Sequence, residues 1–371
     1  MKVLQLSKFY PPIFGGIEQV ALDITEGMNE KDISVDVLSV NNTNKTIVSV
    51  DNSSKIIRAA ILFTLLSTPI SISYILAWWR VRNDYDIIHV HLPNPLAVLA
   101  LILFPPAAPI ILHWHSDIVK QKMALKIFKP LQNALLKKAS KIIVTSDIYG
   151  QSSSQLVKVR DKIISVPIGI EPNRLPINEN LLAHLKKKYK DKKVVFSLGR
   201  LVYYKGFNNL VKAMNFLGDD VILLIGGQGE LFDELSRCII ENGLKERVVL
   251  LGAIKYEELS AYYMLCDVFC LPSVHKSEAF GVVQLEAMSY GKPIVSTNIK
   301  NSGVPWVNKN EESGLVVEPN DPRALAYAIG SVLTRSEYFA QGALERYHNM
   351  FTRDKMISNL VDVYSNIHKG N

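Results

Sequence analysis

Two carboxylates with seven residues between them, Glu278 and Glu286, bracket an aromatic-glycine step in Ser277-Glu278-Ala279-Phe280-Gly281-Val282-Val283-Gln284-Leu285-Glu286-Ala287. Eight steps along one α-helix would set them about 80° apart around its axis, so they are not a same-face pair. The pattern predicts instead a helix that starts near Phe280, with Glu278 in the loop before it and Glu286 about two turns inside. The first turn of any helix has N–H groups without partners and a partial positive charge, so Phe280, Gly281 and Val282 would offer donors to an anion. Gly281 lets that anion come close. Glu278 on one side and Glu286 on the other would accept hydrogen bonds from neutral hydroxyls. A ligand that reads hydroxyl, diphosphate, hydroxyl is a nucleoside-diphosphate sugar. Two solvated helix charges are the competing reading.

Three further segments carry chemistry. The apolar run Val194-Val195-Phe196 leads into Ser197-Leu198-Gly199-Arg200, with Lys205 five residues on. This places two permanent cations near the carboxyl end of a strand, where open α/β sheets bind ligands and where they would neutralise a diphosphate. Near the start, Val3-Leu4-Gln5-Leu6 precedes a Pro-punctuated loop and the pair Gly15-Gly16, a geometry that admits a phosphate, although such a pair commonly just turns the chain. The strand Ala108-Pro109-Ile110-Ile111-Leu112 runs into His113-Trp114-His115. A His-x-His pair invites a metal reading, but no third histidine, cysteine or glutamate-rich motif stands nearby at ligand spacing, and His113 is left without a role. Asp84-Tyr85-Asp86 has the Asp-x-Asp form of a manganese site but precedes a strand in a chain with no other mark of that chemistry.

Together these motifs resemble the retaining GT-B glycosyltransferases of family 4, the large group that carries the E-x7-E signature, over nearly the whole chain. The resemblance implies that Glu278 holds hydroxyls of the transferred sugar and Glu286 the ribose. It implies that Gly199, Arg200 and Lys205 serve the diphosphate with the amides of Phe280, Gly281 and Val282. Gly15 and Gly16 would touch the donor phosphate and help form the acceptor site, and His115 would contact the donor sugar across the cleft. Histidine suits that place because it donates to a hydroxyl or carbonyl without a fixed charge. The strand Val249-Leu250-Leu251-Gly252-Ala253-Ile254 ends where relatives receive the base, which brings in Ile254. Val166-Pro167-Ile168-Gly169-Ile170-Glu171 departs from the common Pro-Asn-Gly-hydrophobic-Asp pattern, so no polar role passes to Ile168.

The elements that must position these residues follow from length and pattern. A chain of 371 residues with 48% hydrophobic and 21% charged content is too long for one typical core. Alternating strands and helices predict an α/β protein of the GT-B kind, two doubly wound parallel-sheet Rossmann-like domains facing a cleft. The expected organisation is an acceptor-binding domain over 1–172, a linker over 173–191, a nucleotide-sugar domain over 192–349, and a carboxyl-terminal helix over 350–371 that returns to the first domain. The polar stretch 41–54 reads as a surface loop. The uncharged stretch 59–79 reads as buried or surface-associated helices, since Pro69 and several serines interrupt it, and 92–114 as helix, Pro-Pro break and strand. Cys238, Cys266 and Cys270 read as free thiols in a reducing cytoplasm, and no leader is expected at Met1.

The net charge of +7 is concentrated. Between 118 and 146 there are seven lysines and no acidic residue, the lysines interleaved with Met123, Leu125, Ile127, Phe128, Leu131, Leu135 and Leu136. A basic amphipathic segment of this kind reads as a docking surface for anionic lipid headgroups, with an ordinary solvated helix face as the alternative. Nucleic acid is not expected, because no recognised nucleic-acid module accompanies the patch. The resemblance implies a hexosyltransferase, and the basic segment an enzyme peripheral to the inner face of the cytoplasmic membrane with a polyprenyl-diphosphate-linked saccharide as acceptor. The run Pro272-Ser273-Val274-His275-Lys276-Ser277-Glu278-Ala279-Phe280-Gly281, with His113 to Asp117, resembles bacterial transferases of O-antigen or exopolysaccharide synthesis, which implies GDP-mannose as the expected donor. No cofactor and no metal are expected. The resemblance implies transfer with retention, the leaving phosphate taking the acceptor proton. A UDP- or dTDP-sugar transferase, and a UDP-sugar 2-epimerase of the same architecture, remain alternatives. A dinucleotide oxidoreductase is disfavoured because Gly15-Gly16 lacks the full Gly-x-Gly-x-x-Gly fingerprint, and a silent binding protein because Arg200, Lys205, Glu278 and Glu286 are all present.

Overall fold

The computed structural model describes every residue except 14, 66–67, 119–121, 172–175 and 370–371, and describes 122–127 by backbone alone. It divides into two compact units, Met1–Gly169 with Arg353–Asn371, and Ile170–Thr352.

The first unit runs β1 (Lys2–Leu6), α1 (Gly16–Asn29), β2 (Ser34–Val40), β3 (Ile47–Asp51), β4 (Ser54–Ala59), β5 (Phe63–Leu65), β6 (Thr68–Ile70), α2 (Ile72–Val81), β7 (Ile87–Leu92), α3 (Pro95–Leu103), β8 (Ile110–Trp114), α4 (Lys122–Lys138), β9 (Lys141–Val144), α5 (Asp147–Ser152) and β10 (Ile163–Ser165). The second runs α6 (Glu179–Lys188), β11 (Lys193–Leu198), α7 (Phe207–Ala213), β12 (Val221–Gly226), α8 (Phe232–Glu241), β13 (Val248–Gly252), α9 (Leu259–Leu265), β14 (Val268–Leu271), α10 (Val282–Ser289), β15 (Ile294–Thr297), α11 (Val304–Val307), β16 (Gly314–Val317), α12 (Pro322–Thr334) and α13 (Ser336–Met350). The last helix, α14 (Arg353–Lys369), belongs to the first unit.

Each unit is built on one sheet. The strand order is β10-β9-β8-β7-β1-β2-β4-β3 in the first and β13-β12-β11-β14-β15-β16 in the second. All neighbours in both are parallel except β3, which pairs antiparallel with β4. Strands covered by helices on both faces read as continuous apolar runs, and β7, β8, β12, β14 and β15 are buried at every position. In β7 and β8, however, that run is interrupted by histidines on one face.

Two stretches fold differently from their sequence reading. Polar 41–54 is not all loop: Ile47–Asp51 forms edge strand β3, whose Val48 and Val50 stand exposed, because an edge strand needs only one partner and keeps a solvent face. Uncharged 59–79 becomes a two-stranded hairpin, β5 with β6, and then α2, which buries Tyr74 and Trp78 and exposes Ile72, Leu76 and Trp79. No helix among the described residues is long and apolar enough to cross a membrane. The stretch 92–114 resolves into α3, a break and β8, as expected.

Helix α14 is fastened to α1 by charge and close packing. The Arg353 guanidinium donates to both carboxylate oxygens of Glu30 at 2.8 Å and lies 3.6 Å from Glu26. Gly27 admits the Ile357 side chain, since a Cβ there would lie 2.5 Å from Ile357 Cγ1.

Candidate functional site

In the second unit the winding of the sheet reverses between β11 and β14. Loops leaving the carboxyl ends of two such neighbours turn to opposite faces, which opens the crevice where doubly wound sheets bind ligands. β11 leads to Gly199, Arg200 and the turn that carries Lys205, and β14 leads to the 272–281 loop and α10. The side chains of Lys205 and Glu278 meet there, with Nζ 2.6 Å from Oε2. Ser273 Oγ donates to the same carboxylate oxygen at 3.2 Å. Both charged side chains are about one-tenth exposed, at 10% and 12%. The Lys205 ammonium also lies against the β11 exit, 3.1 Å from where a Cβ on Gly199 would stand.

The two loops are braced on each other. Val274 N–H donates to Tyr204 O at 2.8 Å, and from the segment after β15 Ser302 Oγ donates to Glu278 O at 2.5 Å. Gly206 has φ of +68°, and a Cβ there would fall 2.1 Å from Pro272 O. Gly206→Ala is therefore expected to lower stability by about 1–3 kcal/mol, from a strained backbone and a forced separation of the loops that carry Lys205 and Glu278. Thermal unfolding of the purified variant checks this, and an unchanged midpoint would show that the loops part without cost.

Helix α10 begins at Val282, two residues later than expected, because Gly281 stands outside helical geometry with φ of +78° and ψ of 60°. The Phe280 ring is core, packed at 6.3 Å from the Trp306 ring and 6.1 Å from that of Phe351, so its main chain alone can face a ligand. In the first turn of α10 Gln284 N–H donates to Gly281 O at 2.9 Å, and the two amides before it have no acceptor inside the helix, which leaves the N-terminus fit for an anion. Glu286 sits in the second turn, where its Oε2 accepts from the Tyr263 hydroxyl. Burial raises the Glu286 carboxyl above its usual range, opposed by the Tyr263 hydrogen bond and the Lys205 charge. Arg200 does not join this group. Its side chain is exposed, with Nη2 3.4 Å from Tyr204 OH. Ile254 follows β13 and lies against Gly226 at the end of β12, where a Cβ would come within 2.4 Å of its Cδ1.

The first unit holds Gly15, Gly16 and His115, all beyond the carboxyl ends of strands. Gly15 is the N-cap of α1, with the Glu18 carboxylate folded over it. A Cβ on Gly16 would meet nothing within 4 Å, so internal packing does not require glycine there. His115 follows β8, its N–H donating to Leu92 O at 3.0 Å. The next turn is held by Asp117, whose Oδ1 accepts from Trp114 Nε1 at 3.1 Å and Ser153 Oγ at 2.6 Å.

What the sequence reading missed is the company His115 keeps. β7 supplies His89 and His91, which lie beside His113 and His115 on one face of the sheet, all four buried. Gln5 of β1 and Tyr364 of α14 complete the cluster. The signal was present as the same His-x-His alternation inside two apolar strands. Ring nitrogens of His89, His91 and His113 come within 4.8 Å of one another, so the third histidine that ligand spacing along the chain did not offer is supplied by the neighbouring strand. Burial drives all four rings toward the neutral form, His89 and His115 down to about 3 and His91 and His113 well below the usual histidine value. Asp86 of the Asp-Tyr-Asp step accepts from Lys2 N–H at 2.7 Å, and Tyr85 OH donates to Asp36 at 2.9 Å, so these groups tie strand ends together.

The basic segment is described in part, with Lys120 and the side chains of Lys122 and Lys126 outside the described residues. In the rest of α4, Leu135 and Leu136 are core while Lys129, Lys137 and Lys138 are exposed. Among the described residues of α4 the leucines near its end are spent on the interior, and the lysines face outward.

Comparison with known proteins agrees with this architecture. Residues 183–348 match the family model described as glycosyl transferases group 1, and residues 14–174 the model glycosyltransferase family 4. The chain is 32% identical over 371 residues to an O-antigen chain mannosyltransferase C of Escherichia coli, covering 99% of each chain. It is 30% identical over 357 residues to the D-rhamnosyltransferase WbpZ of Pseudomonas aeruginosa, covering 95% of this chain and 92% of the relative. Among solved structures, a sucrose-phosphate synthase from Thermosynechococcus elongatus superposes with a TM-score of 0.82 over 100% of both chains at 21% identity.

Proposed function

Since this chain belongs to the group 1 glycosyltransferases of family 4 and has their GT-B fold, we propose that it moves a mannosyl group from GDP-mannose to a lipid-linked saccharide, with retention of configuration. That it is a glycosyltransferase follows from the family. The donor, the acceptor and the stereochemistry are the proposal, and the mannosyl reading is supported by the full-length likeness to a mannosyltransferase.

One observation carries the site: the Lys205–Glu278 pair at the sheet reversal, beside the open N-terminus of α10. An ammonium has three N–H donors, so Lys205 can keep Glu278 and still bind a phosphate oxygen. With Oε2 held, Glu278 presents Oε1 to hydroxyls of the sugar. Glu286, held by Tyr263, takes the ribose. As the bond from the anomeric carbon to the diphosphate breaks, charge grows on the leaving oxygen, where Lys205 and the α10 amides stabilise it, with Arg200 turning in from its exposed place beside Tyr204. The acceptor hydroxyl forms the new bond to the same carbon from the same face and passes its proton to a leaving phosphate oxygen. These steps use no metal and no cofactor besides the donor.

Thermal unfolding with GDP, UDP, dTDP, CDP and NAD tests the donor. A ligand at 100 times its dissociation constant adds about 2.7 kcal/mol, and we expect GDP alone to do so. A shift with UDP or dTDP would keep the transferase and remove mannose, and a shift with NAD alone or with nothing would count against the site. A lipid-linked acceptor would place the enzyme at a membrane, to which the exposed lysines of α4 and the exposed Ile72, Leu76 and Trp79 of α2 are suited. Sedimentation with anionic vesicles is expected to capture the protein and to weaken in salt. No capture at low salt would remove this part of the reading.

A further inference from the structure

The histidine cluster has a direction that can be read from its far end. Gln5 Nε2 lies 3.1 Å from the backbone oxygen of Ala21 and 2.7 Å from Thr25 Oγ1, which itself donates to Ala21 O at 2.8 Å. A carbonyl only accepts, so the amide nitrogen of Gln5 faces α1 and its Oε1 faces the other way. That oxygen is 2.5 Å from His91 Nε2. Because Oε1 also only accepts, His91 Nε2 carries the proton. A neutral imidazole has one donor and one acceptor, so His91 Nδ1 is a bare lone pair. His115 Nε2 lies 3.0 Å from it and must donate. The remaining nitrogen of His115, Nδ1, is then the acceptor at the end of the chain.

We propose that His91 and Gln5 are positioning residues that hold His115 as the Nε2–H tautomer, so that its Nδ1 meets the donor sugar as a hydrogen-bond acceptor. This rests on the reading of His115 as a donor-sugar contact. It also revises it: the sequence suggests a histidine that donates to a hydroxyl or a carbonyl, whereas this arrangement has no proton left to give. The site would then select a sugar with a hydroxyl facing His115 and gain nothing from a carbonyl or a deoxy position there.

Two features make the direction firm. The chain starts at a main-chain carbonyl, which no change of protonation can reverse. Every ring in it is at most 7% exposed, and among the described residues His91 meets Gln5 of β1 and the rings of His89, His113 and His115, with Tyr364 of α14 beyond His89. Burial accordingly keeps His91 neutral, as the argument needs, since an imidazolium would donate from both nitrogens and reverse His115. Packing polar groups of this number into a parallel sheet is costly unless they are paired in a defined order.

The test has an arm that does not depend on catalysis. In the full-length protein labelled with 15N-histidine, long-range nitrogen–proton spectra at neutral pH should show His115, assigned through His115→Asn, with a protonated Nε2 and a bare Nδ1. A proton on Nδ1, or on both nitrogens, would overturn the proposal. So would a metal ion bound at about one per chain and lost in His91→Leu, because a metal on His91 Nδ1 would displace the His115 proton. The second arm compares His91→Leu with His91→Asn, whose side-chain oxygen can take the place of Nδ1. We expect donor kcat/KM to fall about tenfold in His91→Leu and to stay within about twofold in His91→Asn, with nucleoside-diphosphate affinity unchanged in both. An equal fall in the two folded variants would make His91 merely structural. The expected tautomer with unchanged kinetics in His91→Leu would remove His115 from the substrate, which is the failure of the site reading and not of the hydrogen-bond order.

Discussion

Glu278→Gln lowers sugar transfer by about 10² to 10³ while nucleoside-diphosphate binding stays within a few-fold: this is the expected result with the largest effect on activity. The amide has the shape of the carboxylate but not its charge, and the charge meets Lys205 Nζ at 2.6 Å and the Ser273 hydroxyl at 3.2 Å. Glutamine can turn only one oxygen to these donors or to the sugar. In the proposed site the diphosphate rests on Lys205 and the α10 amides rather than on Glu278, so affinity for the bare nucleotide should survive. Stability responds as well. The variant leaves a lysine that is 8% exposed without its counter-charge, and removing one partner of such a pair costs about 3 kcal/mol where burial is deep. Lys205→Met together with Glu278→Gln should then be more stable than the sum of the two single changes implies, a coupling that thermal unfolding of the four proteins measures. Transfer within about fivefold of the parent in a folded Glu278→Gln protein would remove Glu278 from the chemistry.

The second large effect is on stability in acid. The four clustered histidines are neutral in the folded protein, with His89 and His115 lowered to about 3 and His91 and His113 lowered as well, in each case chiefly by burial. In the unfolded chain each takes a proton below about pH 6.5. The unfolded state therefore binds more protons, and folding stability, complete above pH 6.5, falls as the pH drops toward the folded values. Each ring contributes up to about 1.4 kcal/mol per pH unit, so the cluster removes roughly 4 kcal/mol or more by pH 5.5, a large share of the ~5–15 kcal/mol that holds a domain. Glu286 in the second unit acts with the opposite sign. Its raised carboxyl is relieved when protonated, so acid first favours that fold. The first unit is expected to unfold at the higher pH, and it contains Trp78, Trp79 and Trp114, which make fluorescence the probe. A first unit whose stability is flat from pH 7 to 5 would contradict neutral buried histidines.

Much of this was legible in the chain. Apolar runs and the alternation of element types show two parallel-sheet units, and the Gly-Arg step, the lysine after it and Glu278 mark loops at strand ends, with Glu286 in the helix that follows. These are short-range properties, set by backbone periodicity and by which residues permit a turn. Edge strand β3 escaped because its polar neighbours read as loop and its only support is a partner strand. The helix start was placed two residues early because the left-handed Gly281 depends on the space left by Leu271, where a Cβ would come within 2.6 Å of Cδ2.

By itself, then, the sequence determined the fold class and the family, and it placed Arg200, Lys205 and Glu278 in segments that follow strands. Only the tertiary structure decided how those residues are paired: Lys205 with Glu278, Tyr263 with Glu286, and Gln5 through His91 to His115. The physical reason is range. Residue type and spacing act over a turn or a strand, whereas the direction of a hydrogen bond between Gln5, His91 and His115 is set by the register of β1 on β7 and β7 on β8, contacts between segments far apart in the chain.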